Sequence, residues 1–581
     1  MLAEASDPIE RLLGVFPREA CGIWQWYSHH GSPEKWDGRV GADTYPGMKG
    51  VPVVVGWNEL EPRDGEFQWR PIDDVIEKCA AHGLYTFSMI WYLPPNPEWL
   101  YEKGVPRVEI DTFKTEADGE FAHIPYPFSE QYEFYFHRAI DAVADHMRSL
   151  PPHLRKWYLF HQGTTGSTGD GYCYKGQPKD PKYAIPRDEW NAYCKKEALY
   201  QIKAFTGVDS GKPPVPLLIN ALDDEEWLAR ECPAMVLKNG VGSHFYHQNT
   251  DKTRCEQFRP WRTNRNSLKR PVFIRGEGEV AFMDESGWFL KNPLMNFYWS
   301  ALYALHMGID IWNVGGGALE MPELYMAFDT FNRYAGQKIP SPSPVAFCAL
   351  RDELNADNTD RFPEEEFGLY TRSESGARAP VRDSDLGDCY ESNIARCRKI
   401  QQAFAHRGAV IEDMDAVLAG AMESRHRKGD NDVGRDRIED NYCRFLHQID
   451  ANETSVGWWH IGPCYQPYGR FARGFDRAAG KNAIYLAFDE DFFAEKAAGK
   501  LKVRVTWLDR DESEWKLVYD AKDDPAKTAL TVKGSKYGRW RTEIVVIEDA
   551  AMRKRGERGS DIALIGISGD AVFHLVDVER I

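Results

Sequence analysis

The sequence predicts an α/β protein, a (β/α)8 TIM barrel followed by a C-terminal antiparallel β-sandwich of jelly-roll type. Three observations carry this. Apolar strand-like runs alternate with amphipathic helical runs from about Cys21 to Gly336, the pattern of βα units around a parallel sheet. Eight such strand runs can be read, the number that closes a barrel. From about Asn441 short strands separated by turn residues take over, as in a sandwich. A doubly wound sheet is the competing architecture, but no early G-x-G-x-x-G follows a strand, which counts against its nucleotide-binding version.

The elements follow in order. "CGIWQWY" reads as the first strand and "VPVVVGW" as the second. "IDDVIEKCAAHG" has helical spacing and a glycine stop. "LYTFSMIWY" is the third strand, and "SEQYEFYFHRAIDAVADHMRSL" an amphipathic helix opened by Ser129. "KWYLFHQ" is the fourth strand, and "RDEWNAYCKKEALYQIKAFTG" a helix closing on Gly207. "VPLLINA", "GVGSHFYHQ", "RPVFIRGEGE" and "IDIWNVGGG" supply strands five to eight. "NPLMNFYWSALYALHMG" is apolar all round and predicts a buried helix; "ELYMAFDTFNRYAG" closes the series. Residues 1–340 are thus assigned to the barrel, 341–440 to an irregular and helical connection, and 441–581 to a sandwich of accessory or carbohydrate-binding type.

A net charge of -17 argues against nucleic acid and anionic membranes as partners. No apolar run is long enough to span a bilayer. "MLAEASDPIERLLG" lacks a basic segment followed by an apolar core, so no signal peptide is expected there. That suits a cytoplasmic chain, or a secreted or periplasmic one whose leader has been trimmed. The 11 cysteines are scattered without a CxxC, so no structural metal, disulfide framework or cofactor is expected. The chain has 19 Trp, 27 Tyr and 29 Phe. Such an aromatic content suits stacking on the apolar faces of sugar rings.

Catalytic groups of such barrels stand at the C-terminal ends of strands. On the seventh strand, alternation puts Phe273, Arg275, Glu277 and Glu279 on one face. Two carboxylates and an arginine in a barrel mouth are costly as packing unless paired. They read as catalytic carboxylates, or as an ion pair bracing the barrel. The second strand ends in Trp57 and Glu59, candidates for substrate contact, with Glu61 bracing the following turn. The third gives Trp91 and Trp99, as a sugar platform or as core under a long loop. The fourth ends in His161 and Gln162 and the loop "GTTGSTGD", the fifth in Asn220, the sixth in His244 and Tyr246, and the eighth in Trp312 and Asn313. Tyr246 would orient a nucleophilic carboxylate. His244 and His247 lack a neighbouring carboxylate at ligand spacing, so no metal is assigned.

The run "GWNELEPRDGEFQWRPIDDVIEKCAAHGLYTFSMI" resembles the second-strand region of (β/α)8 retaining glycoside hydrolases, particularly family 42-like β-galactosidases and, more loosely, barrel agarases. "WYLPPNPEWLYEKGVP" resembles the next segment of the same enzymes. The resemblance covers about residues 50–110. It implies cleavage of an O-glycosidic bond in a poly- or oligosaccharide, β-galactoside-like first, by two carboxylates. The nucleophile is expected after strand seven, where Glu277 matches and Glu279 stands close by. The acid/base glutamate is expected after strand four, but His161-Gln162 stands where Asn-Glu would be. The proton donor is then Asp170 in the glycine-rich loop, a member of the Glu277/Glu279 pair, or a carboxylate after strand five such as Asp223, Asp224 or Glu225. Two other readings stay open: a barrel that binds glycan with weakened catalysis, and a polysaccharide lyase or metal-dependent barrel hydrolase.

Overall fold

In the computed structural model the described residues are 17–26, 45–112, 123–167, 169, 172–174, 176–207, 209–219, 225–232, 237–239, 272–278, 293–341, 343–351, 410–411, 441–461, 471–494 and 499–581. Contacts divide the chain into two units. The first is Met1–Asn239, Arg265–Glu277 and Asp310–Pro322; the second is Gly240–Asn264, Gly278–Ile309 and Glu323–Ile581.

The first unit is built on strands β1 (Gly22–Trp26), β2 (Val53–Gly56), β3 (Thr86–Trp91), β4 (Tyr158–Gly163), β5 (Leu217–Ile219), β6 (Leu237–Asn239), β7 (Ile274–Gly278) and β8 (Ile311–Gly315). They form two four-stranded sheets, ordered β2-β3-β4-β5 and β6-β7-β8-β1. The β1–β8, β2–β3, β3–β4, β4–β5 and β6–β7 pairings are parallel. Gly50, just ahead of β2, bridges in parallel to both Trp24 and Tyr85, which joins the two sheets. The strands therefore follow one another in chain order, and the two ends, β5 and β6, also touch. The sixth strand lies just upstream of the "GVGSHFYHQ" run expected to form it, and that run is outside the described residues. A single apolar core draws on Trp26, Val54, Phe87, Phe160, Leu218 and Ile311, each from a different strand.

Strands buried on both faces read as unbroken apolar runs, and β2 and β3 are buried at every position. Helices α1 (Arg70–Ala81), α2 (Glu130–Ser149) and α3 (Arg187–Thr206) follow β2, the excursion after β3, and β4. On α2 the buried residues Tyr132, Phe136, Ala139, Ile140, Val143 and Met147 recur at helical spacing. Ser129 Oγ accepts from the Tyr132 amide at 3.1 Å and starts the helix. Gly207 ends α3 in the left-handed region at φ 67. Strands 107–112, 123–125 and 176–178 add a small antiparallel sheet.

The second unit joins two helices to two sheets. Helix α4 (Pro293–His306) packs on α5 (Tyr325–Tyr334). The strands are β9 (Val345–Ala349), β10 (Tyr442–Arg444), β11 (Leu446–Ile449), β12 (Val456–Ile461), β13 (Phe471–Gly474), β14 (Ala483–Phe488), β15 (Leu501–Asp509), β16 (Glu514–Tyr519), β17 (Lys527–Lys533), β18 (Arg539–Ile547), β19 (Ile562–Ser568) and β20 (Val572–Arg580). One sheet runs β12-β13-β20-β9-β10, with β15 on β20 and β18, and Val410–Ile411 on its edge; the other runs β11-β14-β19-β16-β17. All pairings are antiparallel except the one to Val410–Ile411. Trp507, Val503 and Phe573 from the first sheet share one core with Trp515, Leu517 and Leu564 from the second. Alternate burial along β16 is the signature of a half-buried strand. No helix among the described residues is long and apolar enough to cross a membrane.

Candidate active site

The site is built outward from β7. Val272 and Ile274 are buried on one side of this strand, while Arg275 and Glu277 share the other. Arg275 is 0% exposed and Glu277 3%. A charge at that depth needs partners, and Arg275 has one on each side. Its Nη2 pairs with Glu277 Oε1 at 2.8 Å. Its Nε donates to Asn313 Oδ1 at 2.7 Å and its Nη1 to Gln162 Oε1 at 2.8 Å. The guanidinium carbon stands 4.4 Å from the centre of the Trp26 ring and 4.9 Å from that of Phe87. The first ring in particular is close enough for a desolvated cation–π contact. Asn313 is fixed in turn by donating from Nδ2 to the Gln25 carbonyl at 3.1 Å. Side chains from β1, β3, β4 and β8 thus meet on one arginine of β7.

Alternation sorts the adjacent pairs that were expected to act together. Gln162 faces Arg275, whereas His161 points to the helical layer, where its ring stacks on Phe205 of α3 at 4.4 Å. His161 Nδ1 lies 2.8 Å from Ser88 Oγ, which also meets the Tyr158 hydroxyl. Burial pushes the His161 pKa down to about 3, so the ring is neutral. Asn313 likewise faces Arg275, and the neighbouring Trp312 is fully buried on the opposite face of β8. His161 and Trp312 therefore pack away from Arg275, on the side opposite to Gln162 and Asn313. One member of each adjacent pair can face inward, and the sequence reading took both.

Trp57, Trp99 and Glu59 also sit elsewhere. Trp57 is fully buried, edge-on to Tyr92, Trp99 and Tyr132. Both indole nitrogens are committed to Glu61: Trp57 Nε1 donates to its carboxylate at 2.9 Å and Trp99 Nε1 to its carbonyl at 2.8 Å. The Glu61 carboxylate also accepts from the Gly65 amide at 2.7 Å and pairs with Arg138. Burial raises the Glu61 pKa against the pull of these partners. It braces the turn after β2, as expected. Glu59 Oε2 lies 3.4 Å from the Gly56 amide and caps the helical turn Trp57–Leu60. Trp57 and Trp99 thus form an aromatic anchor on Glu61, the core alternative for Trp99, and Glu59 serves as a cap.

Trp91 does share the inner core with Trp26 and Phe87. The loop after β4 is pinned across it. Thr164 Oγ1 donates to the Ile90 carbonyl at 2.6 Å, and Ser167 bridges to Leu93. Gly169, at φ 83, lies so close that a Cβ would stand 3.4 Å from Trp91 Nε1. Asp170, Asn220, His244, Tyr246 and Glu279 lie outside the described residues. The structure thus gathers Gln162, Arg275, Glu277 and Asn313, with Trp91 on the same inner side. Trp26 and Phe87, which wall the arginine, were missed. The signal was the alternation of Trp24 and Trp26 in "CGIWQWY" and of Phe87, Met89 and Trp91 in "LYTFSMIWY".

One polar group of this cluster is unspent. Gln162 Nε2 is buried without a hydrogen-bond partner among the described residues. Its oxygen already serves Arg275, so the amide aims two donor hydrogens into the site. The cluster can hold a carboxylate beside a bound molecule and offer it a neutral donor. It does not offer an acid from β4.

A family model described as beta-galactosidase, glycoside hydrolase family 42, matches residues 25–161. The chain resembles that family. No curated protein sequence matches it. Similar solved structures include the β-galactosidase of the haloarchaeon Halorubrum lacusprofundi, at 12% identity over 91% of this chain and 99% of that one, TM-score 0.39. Others are a β-galactosidase of the psychrophilic Marinomonas ef1 (12% identity, 54% of this chain, TM-score 0.33) and xylanase 10B of Thermotoga maritima (9% identity, 53% of this chain and 86% of that one, TM-score 0.30). The chain spans 59% of the length of the Marinomonas enzyme.

Proposed function

We propose that the chain is a glycoside hydrolase in which β1–β8 close into a (β/α)8 barrel and Glu277 serves as nucleophile or base. On this reading 1–340 is the catalytic barrel, 341–440 the connection and 441–581 the accessory sandwich. The observation that carries it is the meeting of four other strands on Arg275. One side chain can touch β1, β3, β4 and β8 from β7 only if those strands surround it, and a carboxylate held at the C-terminal end of such strands is placed for chemistry. The family match over residues 25–161 supports the same reading. The substrate is a poly- or oligosaccharide, with a β-galactoside-like linkage favoured.

Cleavage passes through an oxocarbenium-like state and needs a carboxylate at the anomeric carbon and an acid at the departing oxygen. Glu277 supplies the first, held in line by Arg275. Gln162 Nε2 and Asn313 border the sugar as neutral groups, and Trp91 offers a stacking face. The acid is Glu279 or Asp170. A separation of about 5–5.5 Å from Glu277 gives retention of configuration, and a wider one inversion. The test is Glu277→Gln on a panel of aryl glycosides and polysaccharides. It is expected to lower kcat about a thousandfold or more with the fold intact. Full activity in both Glu277→Gln and Glu279→Gln would overturn the proposal.

Gln162 favours a second reading, a barrel that binds glycan with weak turnover, because an amide occupies the β4 position that the resemblance assigns to an acid. Saturable sugar binding with no turnover on any panel member would select it. Loss of turnover in Asp170→Asn would exclude it.

A further inference from the structure

The second unit carries a nucleophile cluster at the corner where the chain leaves one sheet for the other. Strands β10 and β11 belong to different sheets and only Phe445 separates them. Phe445 has φ 59, a left-handed conformation that a bulky side chain adopts only when its surroundings impose it. Along a straight strand residues four apart stand about 13 Å apart. Across this kink His447 Nδ1 comes within 3.0 Å of Cys443 Sγ. His447 Nε2 in turn meets Asp489 Oδ1 at 2.6 Å. Thiol, imidazole and carboxylate stand in line, as in an activated nucleophile. The cluster is reachable: the His447 and Asp489 side chains are 50% and 36% exposed, and Cys443 is half-buried.

On its other side Cys443 is the direct cross-strand partner of Cys348 in β9. Opposed residues of an antiparallel pair carry their side chains on the same face. Their Cα atoms stand about 4.5–5.5 Å apart, inside the span of a disulfide. Both are free thiols, and both pack on the same apolar core, Cys348 fully buried within it.

We propose that Cys443 is a reactive thiol that attacks small disulfides and hands the bond to Cys348, so that the pair forms a reversible disulfide site. The Cys443 thiolate attacks one sulfur of R–S–S–R. A Cys443–S–S–R bond forms, the R–S–S–R bond breaks, and the departing RS⁻ takes the His447 proton. Neutral His447 then accepts the Cys348 proton. The Cys348 thiolate attacks Cys443 Sγ and expels the second RS⁻, which is protonated as RSH. Two protein thiols are oxidised to one disulfide, and one small disulfide is reduced to two thiols. The groups facing His447 and the pair are Asp489 beyond β14, His306 of α4 with Nδ1 4.0 Å from Cys443 Sγ, and Arg473 of β13 near Cys348. The balance among them fits the roles. His447 is held well above its usual range, first by Cys443 and also by its hydrogen bond to Asp489. Burial raises the Cys348 thiol, which keeps it protonated until His447 is neutral.

The full folded chain is mixed with a limiting amount of an aromatic disulfide and the modified cysteines are mapped by mass spectrometry. Near pH 6.5, Cys443 is expected to react about tenfold faster than the other cysteines, because His447 Nδ1 stands 3.0 Å from its sulfur as the adjacent base. Two small thiols appear per disulfide consumed, together with a Cys348–Cys443 crosslinked peptide. Cys348→Ser is expected to stop at the mixed disulfide with one thiol released. His447→Gln is expected to slow Cys443 about tenfold near pH 6.5 and to approach the parent rate near pH 9. Asp489→Asn, at an exposed position, reads the same activation should His447→Gln fail to fold. Cys443 labelling no faster than the rest, a mixed disulfide that persists with Cys348 in place, or a pH profile unchanged in both variants would each overturn the proposal. None of these readings uses sugar turnover.

Discussion

Arg275 shows what one residue holds together. Its removal would take the ion-pair partner from the buried Glu277 carboxylate and the donor from Gln162 Oε1 and Asn313 Oδ1. Breaking a buried ion pair from one side costs about 3–5 kcal/mol, because the remaining charge stays buried. Arg275→Met is therefore expected to lower the unfolding free energy from urea titration by that order. The double variant Arg275→Met/Glu277→Gln is expected to recover part of the loss, since it also removes the buried carboxylate charge. His161 makes a prediction of the opposite electrostatic kind. Its folded pKa is depressed to about 3 by burial, below the unfolded value near 6.5. Between those values the unfolded chain binds the extra proton, so stability rises with pH across that window and falls as pH drops through it. The slope from this one group is at most about 1.4 kcal/mol per pH unit. His161→Phe is expected to flatten the curve of unfolding free energy against pH between about 4 and 6.5 by that amount, as read by denaturant titration. An unchanged slope would show that His161 is not the buried neutral group.

At the scale of elements, the face of β7 that carries Arg275 and Glu277 was legible, because in "PVFIRGEGEV" the charged residues recur at every second position, out of phase with Val272 and Ile274. The fourth and eighth strands were legible as strands but not in phase. "YLFHQ" ends in two adjacent polar residues and "IWNVG" sets Asn313 beside Trp312, and sequence alone does not say which member of each pair faces inward. Packing decides it: Phe205 on α3 takes the His161 ring, and Gln162 is left to Arg275. The same helix explains Gly163. A Cβ there would stand 2.1 Å from Gln201 Oε1 of α3 and 3.0 Å from Ile219 Cδ1 of β5. Gln201 is fully buried and donates to the Thr164 carbonyl at 3.3 Å, so it cannot swing away freely. Gly163→Ala is expected to cost about 1–3 kcal/mol as overpacking. Adding Gln201→Ala is expected to cost less than the sum of the two changes, by thermal or urea unfolding. The aromatic anchor was half legible. Trp99 read equally well as platform or core from sequence and Trp57 as a substrate contact, and the deciding fact, that both indoles donate to Glu61, is a contact across 38 residues for Trp99 and 4 for Trp57.

At the scale of the whole molecule, the change from alternating βα runs to short strands was plain in the sequence, and both sets of strands are present. What the pattern did not reveal is how α4 is used. Its all-apolar sequence fits a barrel helix, yet contacts group it with the C-terminal sheets. Tyr298 meets His574 of β20 at 2.7 Å, and Trp299 and His306 pack on Tyr442 of β10. Arg444, 6% exposed, caps the end of α4 by donating to the Leu305 carbonyl at 2.8 Å and also holds the Gln337 carbonyl at 2.7 Å. Periodicity finds that a helix is buried, but not against what. The consequence is a test of the boundary at 340. A fragment of residues 1–340 keeps α4 while losing Tyr442, Arg444 and His574, so Trp299, Leu302 and Leu305, now fully buried, would be bared in part. At roughly 25 cal/mol per Å² of apolar surface, exposing such side chains costs about 1.5–3 kcal/mol each, a large share of a typical domain's stability. The fragment is expected to aggregate or to lose near-ultraviolet circular dichroism, whereas the full chain remains soluble with sharp unfolding. A soluble 1–340 fragment with native-like spectra would show that α4 folds independently of those contacts, and would support 340 as a working domain boundary.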